Sequence, residues 1–289
     1  MLTLFTDSDC DVTPEIAKEY GFKLISMPYV IDGKEIFPYE DFDKFDDKEF
    51  YKSLRDGVLP ATCAINPDKY IEYFEPEFAK GNDILYVHFS AAMSGTFNAM
   101  RLALEELKEK YPERKFYEID TKAISALSLM IIKEIGEMFK QGKTIEEVIE
   151  WSKTGVDKFA IYFYANHLQF FKRSGRVSGF SATMGSILGI HPILTMNSEG
   201  KMVTVAKKSG KRNTLNKILD YMEQIGDDFK NHRIIVAHSD ALDIANEAVD
   251  MMKARFGDDL DIEYVPVNPT AGAHCGPDTI GICFRSISR

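Results

Sequence analysis

The sequence predicts an α/β fold of two domains, the first with a mainly parallel sheet in three layers and the second with a mixed, partly antiparallel sheet. Apolar runs alternate with helical segments through the first half, which favours parallel strands joined by right-handed crossovers. In the second half, two apolar runs flank the turn at residues 197–200, which predicts an antiparallel pair. The length of 289 residues suits two domains, expected at residues 1–158 and 159–289.

Capping signals and turns define the elements of the first half. Thr13, Pro14 and Glu15 supply a cap, a first-turn proline and an acid for a helix that Gly21 ends. Further helices are predicted from an Asn-Pro pair at 66–67 and a capping box at 144–147. Predicted strands cover residues 2–6, 23–31, 34–37, 83–89 and 115–120, with a hairpin turn at 32–33, and predicted helices cover residues 13–21, 47–56, 66–79, 94–110 and 124–141.

The second half begins with a strand and a basic turn that contains glycine, predicted at residues 170–179. Its predicted strands cover residues 158–165, 193–196, 201–207, 233–238, 261–267 and 279–285, and its predicted helices cover residues 211–226 and 240–255. No Pro/Gly/Ser-rich linker separates the halves, so we expect the domains to pack closely.

Composition excludes several classes of protein. With 35 Lys and Arg against 45 Asp and Glu, the net charge of −10 argues against a general nucleic-acid binder. No apolar run approaches the ~20 residues that a membrane span requires, and the acidic N-terminus does not resemble a signal peptide. We therefore expect a cytoplasmic protein without stable membrane insertion and with four reduced cysteines.

Motifs for metals and nucleotides are missing from the sequence. No CxxC or HExxH pair occurs, and no GxGxxG or GxxxxGK[ST] motif follows a strand. The alternating Asp7, Asp9 and Asp11 lack the glycine and closing glutamate of an EF-hand loop, because Val12 and Lys18 stand there. No metal and no cofactor is predicted.

Ser94 marks the strongest candidate site. It follows a predicted strand and opens a predicted helix, where free amides and the helix dipole favour an anion. Ser94 and Thr96 add hydroxyl donors, although a helix-capping role explains Ser94 equally well.

Thr62 lies in a loop that enters a helix, and such loops gather at the carboxyl ends of parallel strands. Thr62 is therefore predicted to reach the same anion, the alternative being an ordinary turn threonine.

Two further segments carry chemically useful side chains. His274 lies among small residues that let a backbone approach a ligand closely, although a solvated loop histidine fits the same pattern. Arg173 and Arg176 flank Gly175, and arginine suits carboxylate or phosphate recognition. Charged loops of this kind are also often only solvated.

The alternative hypothesis is an enzyme, a serine hydrolase or acyltransferase that uses Ser94 and His274. The chain order of serine, an intervening aspartate and histidine is that of α/β-hydrolases. The nucleophile elbow requires G-x-S-x-G, however, and Ala92 stands where its first glycine belongs. This departure weakens the sharp turn on which the nucleophile depends.

Together these segments resemble the DegV family of bacterial fatty-acid-binding proteins. The likeness runs over essentially the whole chain and rests on six motifs in the family's order. The motifs are Asp7-Ser8 to Glu15, Pro60-Ala61-Thr62, Ser94-Gly95-Thr96-Phe97-Asn98, Lys172-Arg173-Ser174-Gly175-Arg176-Val177, residues 185–194, and Gly272 to Gly281 around His274.

The resemblance implies a long-chain fatty acid buried between or beneath the two domains. Carried over by position, Thr62 and Ser94 hydrogen-bond the carboxylate, His274 lies beside it, and the Gly95 and Thr96 amides complete the anion pocket. Residues 180–194 and the apolar strands of the second domain are candidate walls. The resemblance also implies a non-catalytic carrier that presents its lipid, for example palmitate, to a separate ATP-dependent fatty acid kinase. Arg173 and Arg176 are candidates for contact with that partner or with phosphate.

Overall fold

The computed structural model of this protein describes residues 1–178 and 189–289. Its strands are β1 (Leu2–Asp7), β2 (Phe22–Ile25), β3 (Tyr29–Ile31), β4 (Lys34–Ile36), β5 (Ala61–Thr62), β6 (Asp83–His88), β7 (Phe116–Asp120), β8 (Phe159–Ala165), β9 (Val177–Ser178), β10 (Ile190–Met196), β11 (Met202–Ser209), β12 (Ile234–His238), β13 (Ile262–Pro266) and β14 (Thr279–Arg285). Its α-helices are α1 (Pro14–Tyr20), α2 (Asp47–Arg55), α3 (Pro67–Ala79), α4 (Thr96–Lys110), α5 (Ser125–Lys140), α6 (Ile145–Gly155), α7 (Leu168–Ser174), α8 (Lys211–Ile225), α9 (Leu242–Phe256) and α10 (Pro269–Cys275).

The first part of the chain forms a sheet of four parallel strands in the order β2–β1–β6–β7. Its helices begin where the capping signals predict. Thr13, Asn66 and Thr144 each accept a hydrogen bond from the third residue of the following helix, and Glu147 completes the capping box. A small antiparallel sheet, β4–β3–β5, lies beside these elements and holds Thr62 opposite Tyr29.

The second part forms a mixed sheet of seven strands in the order β13–β12–β14–β8–β10–β11–β9. Strand β14 pairs antiparallel with both β12 and β8, whereas β12 and β13 run parallel. The predicted antiparallel pair is β10 and β11. The predicted two-domain α/β class, with a parallel sheet first and a mixed sheet second, is confirmed, while the boundary at residue 158 stays a prediction.

Two local predictions are wrong. The run at residues 23–31 is two strands in different sheets, because Pro28 cannot donate to a ladder and separates β2 from β3. The basic turn at 170–179 is largely helix α7, which ends at Gly175 in the left-handed conformation with φ 65°. His274 lies in helix α10, so the alternative of a solvated loop histidine does not apply.

The core is continuous across the two large sheets. Aromatic and aliphatic side chains from β6, α5, β8 and β14 are buried together, among them Tyr86, Phe163 and Cys283. A second cluster packs α8 and α9 against the outer face of the mixed sheet. Within the described ranges, no helix combines the length and the apolar character that crossing a bilayer requires.

Candidate functional site

Thr62 and His274 meet although they are distant in sequence. The Oγ1 atom of Thr62 lies 3.0 Å from Nε2 of His274. Thr62 ends β5, and His274 lies in the last turn of α10, so the contact joins the small antiparallel sheet to the segment before β14. The structure therefore brings together two residues that the sequence assigned to one site.

Helix α10 is fixed by hydrogen bonds to the N-terminal part of the chain. The side chain of Asn268 caps the helix by accepting from the amide of Ala271. The Asn268 amide and Nδ2 donate to Oδ1 of Asp11 over 2.8 and 2.6 Å. Thr270 Oγ1 donates to the Met27 carbonyl over 2.8 Å. Because these groups are buried, their pairing sets the position of His274 firmly.

Ser94 precedes helix α4 and does not belong to it. The helix starts at Thr96, with Gly95 at the N-cap position and no capping side chain on that residue. The Ser94 Oγ accepts from the Thr96 amide over 3.2 Å, and the Thr96 hydroxyl pairs with the Tyr70 hydroxyl over 3.1 Å. Thr96 is thus engaged within the protein, whereas the Ser94 hydroxyl hydrogen has no acceptor among the described residues.

A cavity lies between the carboxyl end of the parallel sheet and one face of the mixed sheet. Its empty space is about 940 Å³ with its opening to solvent included. Most of the lining is apolar. The mixed sheet contributes Ile161, Phe163, Met202 and Ala237, and other elements contribute Phe89, Met93, Phe171 and Val267.

The predicted site residues divide between this cavity and its surroundings. Thr62, Ser94, Thr96, His274 and Arg176 line the cavity. Gly95 lies in a shallower outer pocket, which also includes Ser94, Arg101, Arg176 and Lys201. Residues 180–188 of the predicted wall lie outside the described residues, and residues 189–194 do not line the cavity.

The electrostatics of the site keep His274 neutral. Burial, together with the charges of Arg176 and Arg173, lowers the pKa of His274 to about 4. A neutral imidazole carries one N–H, so at pH 7 His274 donates from one ring nitrogen only. In the described part of the chain, neither Arg101 nor Arg176 has a carboxylate partner, and the outer pocket therefore has a positive field.

Arg173 in α7 and Arg176, which follows the helix cap Gly175, hydrogen-bond to the loops just before Thr62 and Ser94. Arg173 donates to the carbonyls of Leu59 and Pro60, just before β5 and Thr62. Arg176 Nε donates to the carbonyl of Met93 over 3.4 Å, just before Ser94. Arg173 does not line the cavity, so its observed contacts support a positioning role for the Thr62 loop.

The geometry lends no support to a Ser94–His274 catalytic pair. His274 Nε2 pairs with Thr62, and within the described residues no hydrogen bond joins His274 to Ser94 or to a carboxylate. A serine nucleophile needs a base within hydrogen-bond reach and a third group that orients this base.

Asp9, Ser125 and Thr270 also line the cavity, and sequence reasoning missed all three as cavity residues. The alternating Asp7, Asp9 and Asp11 do not match a calcium-binding loop. No other pattern in the sequence indicates that Asp9 lines a cavity. A usable signal existed for α10, because Asn268-Pro269 repeats the cap and first-turn proline of Asn66-Pro67.

A largely apolar cavity with a few converging polar groups, formed where two packed sheets meet, is typical of sites for small amphipathic molecules. A family model described as "Uncharacterised protein, DegV family" matches residues 1–286. A DegV domain-containing protein of Clostridium perfringens is 32% identical over 282 residues, which cover 97% of this chain and 96% of that protein. The chain belongs to the DegV family.

Solved structures share the fold along the whole chain. A DegV family protein from Thermus thermophilus, described by its fatty acid binding, has a TM-score of 0.84 at 22% identity, with 99% of both chains covered. A stearic acid-binding protein from Eubacterium ventriosum has a TM-score of 0.86 at 20% identity, covering 99% of this chain and 98% of that one. A DegV family protein from Eubacterium eligens, loaded with heptadecanoic acid, has a TM-score of 0.82 at 22% identity, covering 99% of this chain and all of that one.

Proposed function

We propose that this protein binds a long-chain fatty acid in the cavity, with the carboxylate beside Thr62, Ser94 and His274, and presents it to a separate ATP-dependent kinase. The observation that carries the proposal is the pairing of a largely apolar cavity with one polar end, at which Thr62 and His274 lie 3.0 Å apart. Fatty acids carried by structural relatives of the same fold support it.

The acyl chain supplies the driving force. Burying ~15 methylenes at ~0.8 kcal/mol each gives an upper bound of ~12 kcal/mol before association and ordering costs are subtracted. Side chains such as Ile161, Phe163 and Met202 offer the required apolar contacts. On binding, the carboxylate loses its hydrogen bonds to water, and the protein has to provide equivalent ones.

The protonation of His274 determines what Thr62 can donate. If Nε2 carries the proton, it donates to Thr62 Oγ1, and the Thr62 hydroxyl hydrogen is directed to the carboxylate. The opposite tautomer would accept the Thr62 hydrogen and leave the carboxylate without this donor. We therefore assign the Nε2–H tautomer to the complex. Ser94 provides the second hydroxyl, the Gly95 amide a further donor, and Arg176 a nearby positive charge.

The shared walls of the two pockets support presentation to a partner. Ser94 and Arg176 line both the cavity and the outer pocket, so the carboxylate end is the end of the ligand nearest to solvent. There a carboxylate oxygen can attack the γ-phosphorus of ATP held by the kinase, and the bond to ADP breaks to give an acyl phosphate. Arg101 adds positive charge for the anionic group or for an acidic partner surface, whereas the charge of Lys201 is offset by its ion pair with Glu199 over 2.8 Å.

Lipid binding is tested by extracting the purified protein with organic solvent and quantifying fatty acid by mass spectrometry. About one fatty acid per chain is expected, and delipidated protein should bind palmitate and stearate in a titration. A protein without copurified fatty acid that also fails to bind either ligand would refute the proposal.

The kinase step needs its own assay. Protein loaded with radiolabelled stearate should yield a hydroxylamine-trappable acyl phosphate with ATP and an extract of the source cells, and none with ATP alone. Product formed by the purified protein alone would assign the catalysis to this chain. Absence of product in the extract, with binding intact, would leave a binding protein without the presenting role.

A further inference from the structure

Asp9 differs from its two acidic neighbours because, among the described residues, its Oδ1 atom has no hydrogen-bond partner. Asp7 accepts from the Asp9 amide, the Tyr86 hydroxyl over 3.0 Å and the Phe89 amide. Asp11 accepts from Ser125 Oγ over 2.5 Å and from Asn268. Both outer carboxyls therefore stabilise the fold around the start of the cavity wall.

The carboxyl of Asp9 lies in the wall of the cavity itself. Asp9 is only 9% exposed, and its Oδ1 atom is buried without a hydrogen-bond partner among the described residues. Burial and the neighbouring charges of Asp7 and Asp11 raise the pKa of Asp9 well above its usual value. An unpaired buried carboxyl group is costly, so a group that bonds to it from inside the cavity would be favoured.

The position of Asp9 relative to the carboxylate end can be estimated along α10. The backbone carbonyl of Asp9 accepts from Asn268 Nδ2 over 3.1 Å, at the start of α10, and His274 lies near its end. Six residues of helix rise about 9 Å. An extended chain of single bonds advances about 1.2 Å per bond, so Asp9 is reached after roughly eight bonds.

We propose that Asp9 selects fatty acids that carry a hydroxyl group near the middle of the acyl chain, by accepting a hydrogen bond from that hydroxyl at its carboxyl group. This inference rests on the proposed function and adds a ligand class to it. Ser125 and Thr270 line the same cavity and make this stretch of the wall more polar than the sheet face opposite.

The test compares delipidated full-length protein with stearate and with a series of hydroxystearates that carry the hydroxyl between C7 and C12. At least one isomer should bind about 5- to 10-fold more tightly than stearate, the gain of one added hydrogen bond to a buried group. 2-Hydroxystearate, with its hydroxyl beside the carboxylate, should show no such gain. Asp9→Asn keeps an acceptor and should keep the preference, whereas Asp9→Leu should abolish it.

Different results refute different claims. Stearate that binds as tightly as every isomer, or a preference that persists in Asp9→Leu, would overturn the role of Asp9 while leaving fatty-acid binding in place. Such equality would also follow if a buried water satisfied Asp9. Failure of stearate and all isomers to bind would refute the proposed function itself. The affinities of the wild-type protein for stearate and the hydroxystearates can contradict the inference by themselves. The test therefore remains decisive even if an Asp9 variant fails to fold.

Discussion

Thr62 Oγ1 and His274 Nε2 lie 3.0 Å apart although 212 positions separate the two residues in the sequence. Thr62 belongs to a two-residue strand that pairs with β3, and His274 belongs to a short helix held by Asp11 and Met27. The polar end of the cavity is therefore assembled from both ends of the chain. Its geometry depends on the packing between the two sheets more than on any local turn.

Replacement of Thr62 by valine should weaken stearate binding about 5- to 100-fold, because the isosteric side chain removes a donor to a charged group worth roughly 1–3 kcal/mol. Isothermal titration of delipidated protein measures the change. Thr204→Val is the matched control, since the Thr204 hydroxyl has no partner among the described residues and Thr204 is absent from the cavity wall. Equal affinity of Thr62→Val and wild type would contradict the carboxylate assignment.

Replacement of His274 by asparagine should remove an acid-sensitive part of the stability of the ligand-free protein. The folded-state pKa of His274 is about 4 and its ordinary value 6.5, so the unfolded chain takes up the proton first. Stability from this group is present above pH 6.5 and is lost as the pH falls towards 4, by roughly 3 kcal/mol in total.

The carboxyls of Asp7 and Asp11 act in the opposite direction over the same pH range. Burial raises the pKa of each to about 6, so their protonation favours the folded state as the pH falls from 6 towards 4. The measurement is therefore the difference in urea unfolding free energy between wild type and His274→Asn, at pH 7 and at pH 4.5. A difference that does not change with pH would show that His274 is not held neutral by the fold.

Neutralising Arg176 with glutamine should weaken fatty-acid binding severalfold at low salt, and the effect should shrink at 0.5 M salt as charges are screened. Lys108→Gln removes the same charge from the other end of α4. Thirteen residues of helix separate Lys108 from Gly95, about 20 Å, which exceeds the Debye length of ~10 Å at 0.1 M salt. If Arg176→Gln and Lys108→Gln lose the same fatty-acid affinity, only the net charge of the protein affects binding, and the position of Arg176 does not.

Two glycines should respond differently to alanine. Gly276 has φ +71°, and an added Cβ would lie 2.2 Å from the ring of Phe170, so Gly276→Ala should destabilise the fold and displace the end of α10. A loss of about 1–3 kcal/mol is expected in urea unfolding. Gly95 has φ −75°, and nothing lies within 4 Å of an added Cβ.

Gly95→Ala should therefore keep both stability and stearate affinity, because the proposed donor at this position is the backbone amide. A large loss of binding in Gly95→Ala without a loss of stability would show that the ligand approaches the α-carbon closely. Stability of Gly276→Ala close to wild type would instead contradict the packing of Phe170 against the end of α10.

Local signals predicted the long elements well. The cap, proline and glycine pattern at residues 13–21 and the capping box at Thr144 depend on nearest neighbours, and both appear as expected. The single run at residues 23–31 failed because strand membership is decided by partners elsewhere. Tyr29 pairs with Thr62, whereas Phe22 pairs with Leu4 in another sheet. Periodicity alone carries no information about this choice.

The candidate site was predictable in its residue types and not in its connections. A serine before a helix and a threonine in an entering loop indicate an anion site from local chemistry. Nothing local indicates that Arg173 holds the carbonyls of Leu59 and Pro60, because that contact depends on how α7 packs. The same holds for Asp9, whose place in the cavity wall follows from the tertiary fold.

The late position of β14 has a consequence for synthesis. Residues Thr279–Arg285 insert between β12 and β8, and Thr279 and Gly281 line the cavity. A chain emerging from the ribosome cannot close the mixed sheet until this strand has been translated and released from the exit tunnel. Until then one hydrogen-bonding edge of β8 lacks its partner strand, and the cavity lacks the wall that Thr279 and Gly281 provide. If the proposed function holds, fatty acid can therefore be loaded only after β14 has paired with β12 and β8.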